Sequence, residues 1–370
     1  MSKKFKPIPI TILTGFLGAG KTTLLNRILK GDHGLRVAVL VNDFGAVNID
    51  AELIVGVEGE TVSLANGCIC CTIRDDLVRA VLNLLEREPP PEYILIETSG
   101  VSDPYAVAQS FFLPALRPYV RVDSIITVVD AEQIRDLRED DAMLAIDQVS
   151  AADIIVLNKV DLVTPEQLQQ VKDWIYEVTP HARILETAYG QAPLELLLGV
   201  GEFAIEKLAR REQRDIHTHE VHARGGEGEH DHAHDHDHDH HHDHTLVFNT
   251  WHYKTDEPLV YEALCDAVDA LPTTIYRAKG IVYLKEVPDR KALMQVVGRR
   301  ATLTIGEPWQ TQKPRTQIVV IGSYGGVDGE ALHKLFDACR VSAVEAAGDD
   351  KLQRALEWVR RNWPKSFSGG

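Results

Sequence analysis

"IPITILTGFLGAGKTTLLNRIL", residues 8 to 29, decides how the rest of the chain must be read. It begins with alternating β-branched and apolar residues, passes through "GFLGAGKT" (15–22), and continues with leucine and isoleucine at helical spacing. The middle fits G-x-x-x-x-G-K-[ST] in the setting that pattern requires, after one strand and before one helix. Gly15, Gly18, Ala19 and Gly20 are small enough for the backbone to wrap phosphate groups. The backbone amides and the helix N-terminus supply positive potential. Lys21 would neutralise the β/γ-phosphates, the Thr22 hydroxyl would ligate Mg²⁺, and Thr23 completes the cradle. The bland alternative is a glycine-rich turn.

Further strand-like runs follow at "LRVAVLVND" (35–43), "EYILIETSG" (92–100), "VDSIITVVD" (122–130) and "AADIIVLNK" (151–159). Helical spacing separates them, as at Thr22–Lys30 and Asp75–Glu88. Near-continuous apolar strands alternating with helices predict a doubly wound α/β domain with a mainly parallel sheet covered on both faces. Functional residues then belong just beyond the C-terminal ends of the strands.

Those ends carry candidate chemistry. "NKVD" (158–161) predicts a guanine reader: Asp161 accepts from N1–H and the exocyclic amine, Asn158 reads the N7/O6 edge, and the Lys159 stem covers the base. A helix cap is the bland reading of the same four residues. "ETAYG" (186–190) falls where a last base-contacting loop belongs. Asp43 in "VNDFG" and Glu97 in "ETSG" could hold Mg²⁺ or position the attacking water, or simply cap the next turn. The same two readings stand for Asp130. With Lys21, the acids Glu97 and Asp43 form the catalytic set, and the expected chemistry is phosphoryl transfer from GTP to water. A P-loop kinase or ATPase is the competing assignment.

At 370 residues two domains are expected. With 44% hydrophobic and 25% charged residues, the composition is that of a globular protein. The net charge of −16 argues against nucleic acid as a partner. No run approaches the 18 to 20 apolar residues that span a bilayer, and "MSKKFKPIPI" has no signal-peptide pattern, so a cytoplasmic protein without a membrane partner is expected. Residues 211–245 hold 12 of the 16 histidines, centred on "EHDHAHDHDHDHHHDH" (229–244). This stretch has almost nothing to bury and reads as a disordered linker. The expected division is 1–210 for the nucleotide domain, 211–245 for the linker and 246–370 for a smaller α+β domain. That domain has strands at "LVFNTWHY" (246–253), "GIVYLKE" (280–286) and "QIVVIGS" (317–323), and helices at 260–271 and 329–341. A last helix is expected around Trp358 and Trp363.

"GCICC" (67–71) places Cys68, Cys70 and Cys71 within four positions. In an extended backbone Cys68 and Cys70 point the same way, and Cys71 can join them if the chain turns. Three thiolates from one loop give three corners of a tetrahedral metal site with the fourth open. A redox C-x-x-C pair and a structural role remain alternatives. Cys265 and Cys339 read as core residues on apolar helical faces. Flexible imidazoles in the histidine run would bind transition metals without strong geometric choice. A metal-buffering or storage protein, with the nucleotide site as regulator, is therefore a second functional reading.

"GFLGAGKTTLLNRIL", "LANGCICCTIRDDL", "ETSGVSDP" and "LNKVDL", in that order and spacing, resemble the CobW family of P-loop GTPases. "RAKGIVYL", "GEPW" and "QIVVIG" resemble its C-terminal domain. The resemblance implies a GTP-hydrolysing metallochaperone whose GTP form holds Zn²⁺ or Co²⁺ at Cys68, Cys70 and Cys71. It would deliver that metal to a client metalloprotein or a cobalamin-pathway enzyme. Candidate partners are therefore GTP, a transition-metal ion, that client and a second copy of the chain. The chain departs from the family pattern at Asp43, where the family usually has glutamate.

Overall fold

The computed structural model describes residues 7–31, 34–42, 61–63, 71–137, 139–198 and 248–346. Seven strands form the first sheet: β1 (Ile8–Thr14), β2 (Val37–Asn42), β3 (Thr61–Ser63), β4 (Tyr93–Thr98), β5 (Val120–Asp130), β6 (Ile154–Asn158) and β7 (Ile184–Glu186). Their order is β3-β2-β4-β1-β5-β6-β7, and every pairing is parallel. β1 sits at the centre, and its residues are almost all buried, as a parallel strand covered on both faces must be. Helices α1 (Lys21–Lys30), α2 (Cys71–Leu85), α3 (Pro104–Ser110), α4 (Glu139–Ala151), α5 (Pro165–Val178) and the short α6 (Leu194–Leu197) follow β1, β3, β4, β5, β6 and β7 in turn. On one face Leu24, Leu25 and Ile28 of α1 pack with Leu13, Val128 and Val156. On the other, Leu77, Val81 and Leu84 of α2 pack with Ile10, Ile12 and Ile96. The doubly wound α/β expectation is therefore met.

The second sheet is antiparallel, in the order β11-β10-β9-β12-β8, formed by β8 (Phe248–Thr255), β9 (Ile275–Tyr283), β10 (Arg290–Val297), β11 (Arg300–Pro308) and β12 (Thr316–Ser323). One face is covered by α7 (Tyr261–Asp269) and α8 (Gly329–Asp337), which bury Leu264, Ala267, Leu332 and Phe336 against Ala278, Val282, Met294 and Val320. This is the smaller α+β domain that was expected. Two of its strands, β10 and β11, were not anticipated. Cys339 is buried, but it lies in the turn after α8, and Cys265 is exposed. The expectation that both are core residues thus fails for Cys265. Helix α7 turns Ala263, Leu264 and Ala267 inward, and at 100° per residue position 265 falls off that arc. The boundaries drawn at 210/211 and 245/246, the histidine run and the Trp358/Trp363 helix lie outside the described residues.

Both sheets belong to one compact unit. They meet at the strand ends remote from the glycine loop, through a buried ionic cluster. Arg277 of β9 donates to Asp123 Oδ2 (3.1 Å), to the Leu196 carbonyl (2.6 Å) and to the Leu197 carbonyl (2.9 Å). Asp123 also accepts from Tyr93, Arg121 and Gln295. Tyr93 in turn contacts Thr11 of the central strand at 2.7 Å. Burial alone would raise the Asp123 pKa, but Arg277, Arg121 and Lys279 outweigh it and hold the carboxyl below its ordinary value. A second contact joins Arg300 to Asp153 (3.0 Å), and Tyr276 donates to the Ile184 carbonyl at 3.0 Å.

Candidate functional site

The glycine loop connects β1 to α1 as the sequence requires. Gly15, Gly18 and Gly20 have φ of 136°, 74° and 103°, values at which a side chain is strained. A Cβ on Gly15 would also overlap the Val128 carbonyl, and one on Gly20 the Asn158 amide. The other helix starts with a side-chain cap use Asp103, Thr164 or Asp328. Helix α1 instead starts at Gly20 without a side-chain cap, has no acid in its first turn and carries Arg27 and Lys30 in its last. No side-chain cap or first-turn acid thus competes with an anion for the positive end of this helix. Lys21 is buried and donates to the Phe16 carbonyl at 3.2 Å, which holds its ammonium over the loop.

Glu97 is the penultimate residue of β4, in register with Leu13 of β1, and is buried. The Thr22 hydroxyl donates to Glu97 Oε1 at 2.7 Å. The two residues assigned to Mg²⁺ from sequence, 75 positions apart, therefore meet at the mouth of the loop. Both offer oxygen ligands, as a hard divalent cation prefers. Thr98 donates to Thr14 Oγ1 at 3.0 Å, which locks the ends of these two strands together. Thr23 follows Thr22 in the first turn of α1 and is exposed.

At the other side of the loop, Asn158 is buried with its amide engaged within the protein. Nδ2 donates to the Ala19 carbonyl at 3.0 Å. Oδ1 accepts from Thr187 Oγ1 (3.1 Å) and Gly190 N–H (2.9 Å). Both oxygen lone pairs are thereby used, and one N–H of the amide is left to donate to an acceptor such as N7 or O6. Asn158 thus ties the glycine loop, β6 and the 186–190 loop into one rim. Lys159 has φ of 62°, and its ammonium pairs with Asp130 Oδ2 at 2.7 Å. Asp130 Oδ1 accepts from the N–H groups of Glu132 and Gln133. The acid at the end of β5 therefore serves as a turn cap and as the holder of Lys159. Asp161 stands exposed one turn on, within a short 3₁₀ turn (Val160–Leu162).

Asp43, Cys68 and Cys70 lie outside the described residues, and Cys71 is described only as the first residue of α2. Asp43 follows Asn42, which is in register with Thr98. Strand β3, parallel to β2, ends at Ser63 on the cradle side of the sheet. Among the described residues no group of three His, Cys, Asp or Glu side chains could hold a metal ion. None of the described helices is long and apolar enough to cross a membrane. Sequence reading missed the Asp130–Lys159 pair and the ties from Asn158. A signal existed for the first, an acid at the end of a strand neighbouring "NKVD", but the pairing needs the sheet order.

A glycine-loop helix without a side-chain cap, the Thr22–Glu97 contact at its mouth and the Asn-Lys-x-Asp turn at the same end of one parallel sheet are the features of a P-loop nucleotide-binding protein. Residues 9–186 match the CobW/HypB/UreG nucleotide-binding domain, and residues 248–340 match the cobalamin synthesis protein cobW C-terminal domain. The chain is 32% identical over 370 residues to "Zinc chaperone CobW" of Sinorhizobium sp, covering 92% of this chain and 97% of that one. It is 35% identical to the "Zinc chaperone CobW" of Pseudomonas aeruginosa, covering 86% of this chain and 88% of that one. A third relative, "Zinc-regulated GTPase metalloprotein activator 1" of Dictyostelium discoideum, is 30% identical over 81% of this chain and 68% of its own. The chain belongs to the CobW family of P-loop GTPases.

Proposed function

We propose that this GTPase is a metallochaperone that binds a transition metal, Zn²⁺ or Co²⁺, in its GTP state and passes it to a client protein. GTP would lie across the P-loop, its phosphates on the loop amides and Lys21 and its base at Asn158, Lys159 and Asp161. Mg²⁺ would sit at Thr22 and Glu97 and supply charge neutralisation at the terminal phosphate. The carrying observation is the 2.7 Å contact between Thr22 and Glu97, because it joins the P-loop to the strand end that a bound cation would grip.

The metal cargo would be held by Cys68, Cys70 and Cys71. The chain enters that segment from Ser63, at the end of β3, and leaves it into α2 at Cys71. The names of the relatives support zinc as the cargo. In this reading Asp43 and the 61–71 segment respond to the γ-phosphate, and the divisions 1–210, 211–245 and 246–370 delimit nucleotide domain, histidine linker and C-terminal domain. Linkage requires GTP and metal to strengthen each other's binding by the same factor.

The test is a Zn²⁺ and Co²⁺ titration with a non-hydrolysable GTP analogue, with GDP or with no nucleotide. It compares wild type, a Cys68/Cys70/Cys71→Ser triple variant and Glu97→Gln. Tight metal binding should require the GTP analogue, disappear in the triple variant and lose its nucleotide dependence in Glu97→Gln. Equal wild-type affinities in all three nucleotide states would refute the mechanism. Multi-site binding indifferent to the three cysteines would favour the histidine-based buffer instead.

A further inference from the structure

Gln148, on α4, is buried at 1% exposure, and no motif marks it. Its carbonyl accepts from Thr127 Oγ1 at 2.7 Å, which fixes that turn of the helix to the central region of β5. From there its Nε2 donates to two carbonyls of one loop, Gly100 at 3.0 Å and Ser102 at 3.3 Å. That loop is the turn after Glu97, closed by Ser102 N–H donating to the Ser99 carbonyl at 3.0 Å. The turn rests on the P-loop. A Cβ on Gly100 would stand 2.6 Å from Leu17 Cδ2 and 2.8 Å from Leu17 N, so backbone meets backbone with no room for a side chain.

The position of the turn along the nucleotide follows from the residues around it. Glu97 and Thr22 mark the cation and terminal-phosphate end, while Asn158 and Asp161 mark the base end. The 99–102 turn belongs to the first of these. We propose that Gln148 is a positioning residue, which sets how closely the 99–102 turn approaches the P-loop and thereby how well the site tells a nucleoside triphosphate from a diphosphate. The inference rests on the assignment of the P-loop as the GTP site.

The clamp is only partly satisfied. Gln148 Oε1 and Ser102 Oγ are both buried without a hydrogen-bond partner, and they belong to two side chains of this one cluster. A buried polar atom left unpaired destabilises its arrangement. The hydroxyl can donate and the amide oxygen can accept. A shift of the turn that brought them together would satisfy both, so the clamp holds the turn without removing its reason to move. A residue that touched neither substrate nor P-loop could in this way govern the response to the terminal phosphate.

The experiment measures binding of a non-hydrolysable GTP analogue and of GDP, with Mg²⁺, to the full chain and to Gln148→Met and Gln148→Asn. Methionine keeps the bulk and removes both donated bonds. Asparagine keeps the amide but is one methylene too short to reach both carbonyls. Gln148→Met should lose about tenfold in triphosphate affinity and in kcat while GDP affinity stays within twofold, and Gln148→Asn should fall between it and wild type. An unchanged ratio of triphosphate to diphosphate affinity would overturn the proposal, as would equal losses for both nucleotides. If neither variant folds with GDP present, by circular dichroism, Gln148 is a folding residue and the proposal is again overturned. A wild type that binds neither nucleotide would instead sink the assignment of the GTP site itself.

Discussion

Arg277→Met removes the cation at the centre of the contact between the two sheets. Arg277 and Asp123 are 1% and 2% exposed, so neither can turn to water for compensation. The substitution deletes three charge-assisted hydrogen bonds, to Asp123 and to the Leu196 and Leu197 carbonyls. It leaves Asp123 with Arg121, Tyr93 and Gln295. Removing one partner of a buried ion pair destabilises by about 3–5 kcal/mol; Arg121 still offsets part of the Asp123 charge, but the Leu196 and Leu197 carbonyls lose their donor as well. At about 2 °C per kcal/mol for a chain of this size, that corresponds to a fall of roughly 6–10 °C in Tm. The assay is urea unfolding followed by tryptophan fluorescence, with Trp174 reporting on the nucleotide domain and Trp251 and Trp309 on the C-terminal one. Asp123→Asn added to Arg277→Met should recover part of the loss, since the stranded carboxylate is gone, giving a coupling of about 1–3 kcal/mol. GDP affinity should not change, because the cluster lies at the strand ends opposite the P-loop. A destabilisation below about 1 kcal/mol, or a double variant equal to the sum of the singles, would refute the argument.

Two further outcomes are expected. Lys279, on the same strand as Arg277, has its pKa pushed down to about 7 by burial and by the neighbouring Arg277, against the opposing pull of Asp123. Between that value and the unfolded one of about 10.4 the unfolded chain binds more protons, so stability rises with pH across this window and is flat below it. Relative to Lys279→Met, wild type should therefore gain on the order of 1 kcal/mol between pH 7 and 8.5 in urea midpoints. A pH-independent difference between the two would contradict this. Asp161→Ala should weaken GTP binding about 100-fold, as expected when two bonds to a charged acceptor are lost, and leave ATP binding unchanged. Competition of ATP against labelled GTP reads the outcome, and equal weakening of both nucleotides would reject the guanine assignment.

The strand–loop–helix at 8–29 was fully legible because its information is local. Apolar periodicity, three glycines and the Lys-Thr pair are consecutive, and backbone sterics leave them one arrangement. Glu97 and "NKVD" were legible for a related reason, since residues at the ends of parallel strands converge wherever the sheet order puts them. The thiol cluster of "GCICC" is likewise local, because three thiols in four positions need no tertiary structure to be neighbours; that it holds metal is part of the proposal.

What remained required the folded chain. β10 and β11 escaped reading because "RKALMQVV" and "RATLTIGEP" mix charges and turn formers into short runs; their ladders with β9 and with each other make them strands. Cys265 looked like core from its apolar neighbours, and only the way α7 seats on the sheet put it outside. Asp123, Arg277 and Gln148 carry no motif at all. Their partners lie 154 and 48 residues away, and a buried polar group acquires its meaning from the atoms that satisfy it, which tertiary structure alone supplies.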